Sequence, residues 1–324
     1  MRHHRSFPRP PATAVGLAGV VLAGLLAAPA PAGAARHLFV HTATASNTFL
    51  DTTTIDYPPI NGDPEAVVIV TQVWNPGGGP GIYNAHEIGV SYSSTTGRWS
   101  IYNQDFAAMP LGASFNVWVG MRVAGGSFLH TATAGNTVAA TTFLDHPGLN
   151  GCPFANLQVT HYRNPGGGSG PRNDHPIALI YSTPAEQWTI HNQDSLSFAL
   201  GAAFNVFTAT LCASLDFEPD HYYFATHVAS EANTMGHISF IDLSAANSLP
   251  HAFVVATINA SFPAPLVPHP FGVFYESTTE RWAIFNQDIA PIPLGATFNL
   301  LIVDLLFADG FENGDAGAWS SMVP

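Results

Sequence analysis

The sequence predicts an all-β protein: three tandem units of about 80 residues, each a small sandwich or barrel-like body, behind a secretory signal peptide. Three observations predict it. One block of residues recurs three times, its apolar positions alternate with period two, and no segment sustains a 3.6-residue period for the length of a stable helix. Composition agrees, because 10% charged residues with 29 Gly and 26 Pro suit short strands joined by many turns.

Residues 1–35 carry the leader. Arg2, Arg5 and Arg9 precede the apolar run AVGLAGVVLAGLLAA (14–28), and Ala32-Gly33-Ala34 matches a small-x-small cleavage site. The run is shorter than the ~20 residues a spanning helix needs. Behind it remain six basic residues, none of them lysine, against 22 acidic ones. Such a surface repels phosphate backbones, which excludes nucleic acid and anionic membrane surfaces as partners. The expected location is secreted, periplasmic or cell-surface. Cys152 and Cys212 both fall in the second unit, and an even pair in an oxidising compartment predicts one disulfide.

The units span 36–121, 122–215 and 216–304, followed by an acidic tail at 305–324. HTATASNT (41–48) aligns with HTATAGNT (130–137) and with THVASEANT (226–234). From His41, His130 and His227 the next landmarks fall at constant spacing: Asp56, Asp145 and Asp242, then Asn61, Asn150 and Asn247, then Thr71, Thr160 and Thr257. The loops NPGGGPGIYNAH (75–86) and NPGGGSGPRNDH (164–175) are equal in length, whereas SFPAPLVPH (261–269) is three residues shorter. A deletion confined to a Gly/Pro-rich stretch marks a surface loop between framework elements. Register resumes at His86, His175 and His269 and closes on LGASFNV (111–117), LGAAFNV (200–206) and LGATFNL (294–300).

Each unit yields about six strands, placed in the first near 37–44, 48–53, 66–74, 87–93, 98–104 and 114–120. The fifth is RWSIYNQD (98–105), repeated as QWTIHNQD (187–194) and RWAIFNQD (281–288). Trp and Ile stay fixed while the alternate positions drift, so the fixed pair faces inward and the drifting pair outward. Asn103 and Asp105 share the inward parity, as do Asn192 and Asp194, and Asn286 and Asp288. Buried polar groups need partners, and Asn and Asp readily bond nearby turn amides. With His41, His86, His130, His175, His227 and His269 they are read as structural polar hubs, Asn103 and Asp105 tying down the loop 106–113.

The Trp-x-Ile-x-Asn-Gln-Asp … Leu-Gly-Ala-x-Phe-Asn unit resembles an uncharacterised repeat family of secreted bacterial proteins. The HTATA start and the Asn-Pro-Gly-Gly loop add to the likeness, which covers nearly all of 36–304. It implies an exported repeat architecture and no assigned activity. FADGFENGDAGAW (307–319) resembles a short Asp-Gly-Phe-Glu tail of exported proteobacterial proteins.

No catalytic residue is predicted. GGGSGP breaks a G-x-S-x-G elbow at Pro171, and HEIGV (86–90) lacks the second His of H-E-x-x-H. A single active site would let two of three copies drift, yet the polar set survives in all three. No metal or cofactor is expected. The alternative is a metal-dependent hydrolase built on the His/Asp sets, since neutral imidazole and carboxylate both bind zinc. The predicted role is non-catalytic, binding or structural, with a glycan or another extracellular protein as partner. A lectin-like version would use the tips of the variable loops, Tyr83 and Asn84, Arg172 and Asn173.

Overall fold

The computed structural model describes residues 37–76, 79–120, 122, 126–208, 222–261 and 263–304. The leader, the acidic tail and Cys212 lie outside them. Cys152 is buried and is not a free thiol.

The described residues form strands and two short 3-10 turns, with no α-helix among them. The first repeat supplies β1 (His37–Thr42), β2 (Thr48–Phe49), β3 (Thr52–Ile55), β4 (Val67–Val73), β5 (Ile88–Ser93), β6 (Arg98–Asn103) and β7 (Ser114–Gly120). The second supplies β8 (Ser127–Thr131), β9 (Thr137–Val138), β10 (Thr141–Leu144), β11 (Leu157–Tyr162), β12 (Ile177–Ser182), β13 (Gln187–Asn192) and β14 (Ala203–Thr208). The third supplies β15 (Tyr222–Val228), β16 (Thr234–Met235), β17 (Ile238–Phe240), β18 (Ala252–Ile258), β19 (Phe271–Glu276), β20 (Arg281–Asn286) and β21 (Thr297–Asp304). The one departure in strand count is the second expected strand, which is split by a turn at Leu50.

Within a repeat two layers face each other. In the first, β1-β7-β4 covers β2-β3-β6-β5, and Val68, Val117, Trp99 and Ile101 meet between them. Each layer presents alternate apolar side chains to the other, which is what makes a sandwich. The tryptophans are pinned alike: the indole N–H of Trp99, Trp188 and Trp282 donates to the carbonyl of Asp63, Cys152 and Leu249. The repeated start is a turn wired by one amide. Asn47 accepts from the Thr44 N–H and donates to the Thr42 carbonyl, and Asn136 and Asn233 do the same.

The repeats do not stand as separate sandwiches, and no barrel closes. β5 of the first runs parallel to β11 of the second, and β19 of the third runs parallel to β4 of the first. A parallel bridge from Leu179 to Asn259 joins the second to the third. The order is cyclic, so the chain closes on itself as a pseudo-threefold ring. This explains why β4 and β18, VVIVTQV and AFVVATI, are mostly apolar and bury every residue, Thr71, Gln72 and Thr257 included. A strand covered on both faces has no polar side to display. At the centre Val67, Ile69, Trp118, Phe207, Phe253, Val255, Leu301 and Val303 form a core shared by all three repeats.

The drifting face of the fifth strand is accordingly not solvent-facing. Tyr102 is buried, and its hydroxyl lies 2.7 Å from Nδ1 of His161 in the second repeat. Phe285 of the third packs edge-on to Tyr83 of the first. Drift there marks three unlike junctions rather than exposure.

Candidate functional site

The retained polar residues separate into those that fasten a repeat internally and those that fasten it to its neighbour. The Asn of Asn-Gln-Asp works internally: Asn103, Asn192 and Asn286 donate to the carbonyls of Ala107, Leu196 and Ala290 in the loop that follows. The Asp does likewise. Asp105, Asp194 and Asp288 accept the amides of Ala107, Leu196 and Ala290 through one oxygen. Through the other oxygen they hold Nδ1 of His86, His175 and His269 at 2.6, 2.7 and 2.7 Å.

The Gln works between repeats. Gln104 accepts the Asn173 amide, Gln193 the Val267 amide and Gln287 the Asn84 amide, at 3.0, 2.6 and 3.1 Å. Three further tiers run in the opposite cyclic sense, each side chain reaching the preceding repeat. The hydroxyls of Thr160, Thr257 and Thr71 accept the amides of Val70, Val159 and Ala256. The side chains of Asn116, Asn205 and Asn299 donate to the carbonyls of Val254, Val68 and Leu157. In the Asn-Pro-Gly-Gly loops, Asn75 bonds both backbone groups of Tyr275, and Asn164 both of Tyr92. Ser261 stands in their place in the third repeat and only accepts, from the Tyr181 amide.

We expect Gln104→Ala to lower the unfolding free energy by about 1–3 kcal/mol, because the buried Asn173 amide loses its acceptor. Gln193→Ala does the same through Val267. Urea unfolding of each single variant checks this, and unchanged midpoints and slopes would contradict the junction role.

The loop tips predicted as exposed binding residues are mostly interior, which corrects that expectation. Asn84 and Asn173 are each 1% exposed. Their side chains pair with Asn103 and Asn192. Arg172 reaches into the first repeat, where it meets Asp51 at 2.6 Å, donates to the Asn103 carbonyl and stacks over Tyr102 and Phe106. Tyr83 alone of the four is exposed, its ring lying against Trp74 and Phe285. Close approach explains the glycines: a Cβ on Gly81 or Gly170 would sit 1.9 or 1.7 Å from the carbonyl oxygen of Trp74 or Arg163. In the third repeat Val267 replaces the buried Asn, and Asn286 Oδ1 has no protein partner.

His41, His130 and His227 lie apart from the His–Asp pairs. Their Nε2 atoms meet the hydroxyls of Thr53, Thr142 and Ser239 at 2.8, 2.8 and 2.7 Å. Burial holds each well below the usual imidazole range, at about 4. Among the described residues no three His, Cys, Asp or Glu side chains converge as a metal site. A cavity of ≈70 Å³ where the repeats meet is lined by Val70, Val159, Ala256, Thr160, Thr257 and His269, with Glu87 beside them. Burial first, then Asp174 and Asp288, pushes Glu87 up to about 7.

What sequence reasoning missed is an apolar edge present in every repeat. Leu111, Leu200 and Leu294 of the Leu-Gly-Ala motif are all more than half exposed. So are Phe49, Val138 and Met235 on the facing hairpin, and Phe106, Leu196 and Ile289 after Asn-Gln-Asp. The two segments lie side by side, the amides of Met109, Phe198 and Ile292 bonding the carbonyls of Leu50, Ala139 and Gly236. Both turns hold left-handed residues, Leu50 at φ 53°, Phe106 at 67° and Ile289 at 63°. Recurrence of Leu before Gly-Ala was the available signal; nothing in its spacing said that it points outward.

One family, described as a domain of unknown function (DUF7452), matches the chain at 30–119, 89–208 and 216–302. Neither curated proteins nor solved structures give a match.

Proposed function

The chain belongs to the DUF7452 family, and on that premise we propose that it is a secreted or cell-surface protein with a non-catalytic binding role. The ring is a rigid mount for three like apolar edges, each engaging the same kind of extracellular partner. The observation that carries this reading is the cost of those edges. Large apolar side chains stand in solvent in all three copies, and in the first and third they sit on backbone that bulky L-residues avoid. Left-handed conformation at such residues costs about 1–3 kcal/mol, and exposed apolar patches mark interaction sites. The retained His, Asn, Gln and Asp are occupied with folding, which supports reading them as scaffold.

Three linked weak sites bind by avidity, so loss should compound. The test replaces Leu111, Leu200 and Leu294 by serine singly, in pairs and together, and measures retention on envelope material of the producing cells. Expected is a steep stepwise loss, more than about tenfold per edge. Equal retention by the triple variant and the parent would refute the reading. Detection of the protein only in the cytoplasm would refute the location. Retention that instead follows Tyr83→Ala would favour the glycan reading.

A further inference from the structure

The three junctions share a framework of equivalent residues and differ at several positions, of which one decides whether a ring or a cavity lies beside the recurrent Trp. Where the second repeat meets the first, that position is Tyr162. Its phenol ring is fully buried with its centroid 4.7 Å from Trp99, and its hydroxyl donates to the Pro64 carbonyl. The Gly166 amide donates to that hydroxyl, and Glu65 and Tyr92 lie near enough to bear on its ionisation. Where the first repeat meets the third, the position is Val73. A cavity of ≈150 Å³ opens there, lined by Trp282, Tyr275, Pro250, His251, Asn75 and Val73 among others. Four of these are the counterparts of Trp99, Tyr92, Pro64 and Glu65. In the remaining junction Asn259 turns back on its own repeat, donating to Asn299 and accepting the Ser261 amide.

We propose that the cavity between the first and third repeats is a binding site for a single phenol-class ring, seated as Tyr162 is seated in the sister junction. The chain thus carries its own picture of the bound ligand. The ring would lie on Trp282, the hydroxyl would reach the Pro250 carbonyl, and the rim at Val40 and His251 is open to solvent. Size agrees, since an apolar cavity of about 150 Å³ is known to accept benzene. Tight aromatic contact and one hydroxyl acceptor select a hydroxylated ring over an aliphatic one of the same volume. This inference is independent of the apolar edges, which lie on other segments.

The experiment titrates the whole protein with phenol by calorimetry and by ligand-observed NMR. Expected is one site per chain with millimolar or tighter affinity. Val73→Tyr, which installs the plug already present at position 162, should abolish binding and raise the melting temperature. Tyr162→Val should open the sister site and move the stoichiometry from one to two. If Val73→Tyr fails to fold, a phenol-soaked crystal of the parent must show the ring on Trp282. No binding up to the solubility of phenol, undiminished binding by folded Val73→Tyr, or a ring bound elsewhere would overturn the proposal.

Discussion

A chain ending at residue 215 should fail to fold as a monomer. It would keep two intact sandwich sequences, yet it would lose the ring. β4 would lose β19, its parallel neighbour, and β12 its bridge to Asn259. The shared central core would lose Phe253, Val255, Leu301 and Val303, half of its buried members. Burial of each such side chain is worth roughly 1.5–3 kcal/mol, so the loss approaches the whole stability of an ordinary domain, about 5–15 kcal/mol. The amides of Val159 and Asn84 would also lose Thr257 and Gln287 as acceptors. Unpaired edges of long apolar strands pair with whatever is available. Size-exclusion with light scattering should find aggregates or mixed oligomers and no cooperative melt. A monomer with a sharp transition would show that the repeats are independent bodies.

Acid should destabilise the intact protein strongly between pH 7.5 and 5. His41, His130 and His227 are held near 4 by burial. His161 is held near 3, chiefly by burial. Folded values below the unfolded 6.5 mean that the unfolded chain binds protons first. The stabilisation is therefore complete above about pH 6.5 and lost as pH falls toward the folded values. At pH 5 each histidine accounts for about 2 kcal/mol of that loss. Glu87 acts oppositely, because its folded value of about 7 lies above the unfolded one. It takes up its proton as pH falls and recovers part of the loss, leaving a net change on the order of 5 kcal/mol. Urea unfolding across this window checks the sum. Replacing His41, His130 and His227 by glutamine should flatten the profile, and Glu87→Gln should steepen it. A flat profile in the parent would contradict the burial of the three rings beside Thr53, Thr142 and Ser239.

Much of the fold was legible because triplication separates constraint from accident. Trp99 and Ile101 recur and face the core of their repeat; Asn103 and Asp105 recur and bond the loop after them. Recurrence does not say whom a side chain bonds. Asn116, Gln104 and Thr71 recur as faithfully, but their partners are main-chain groups of another repeat, and a carbonyl or amide leaves no letter in the sequence. Ring closure was hidden for the same reason, since parallel pairing of β5 with β11 and of β19 with β4 needs no motif. The exposed Leu of Leu-Gly-Ala was hidden differently. Leu111 stands in a turn ahead of β7, where no period-two pattern assigns a face, and a left-handed Gly112 at φ 92° follows it.

Edge-to-edge pairing of the first and third repeats closes the ring. Val73 and Val273 are paired residues of β4 and β19. Neighbouring strands lie about 4.8 Å apart, inside the ~4.4–6.8 Å range over which a disulfide forms. In the double variant Val73→Cys/Val273→Cys, oxidised, denatured without reductant and alkylated, we expect that neither introduced thiol takes up label and that the monomer carries a 73–273 cross-link. Two labelled thiols at those positions, in a protein that had folded as a monomer, would contradict it.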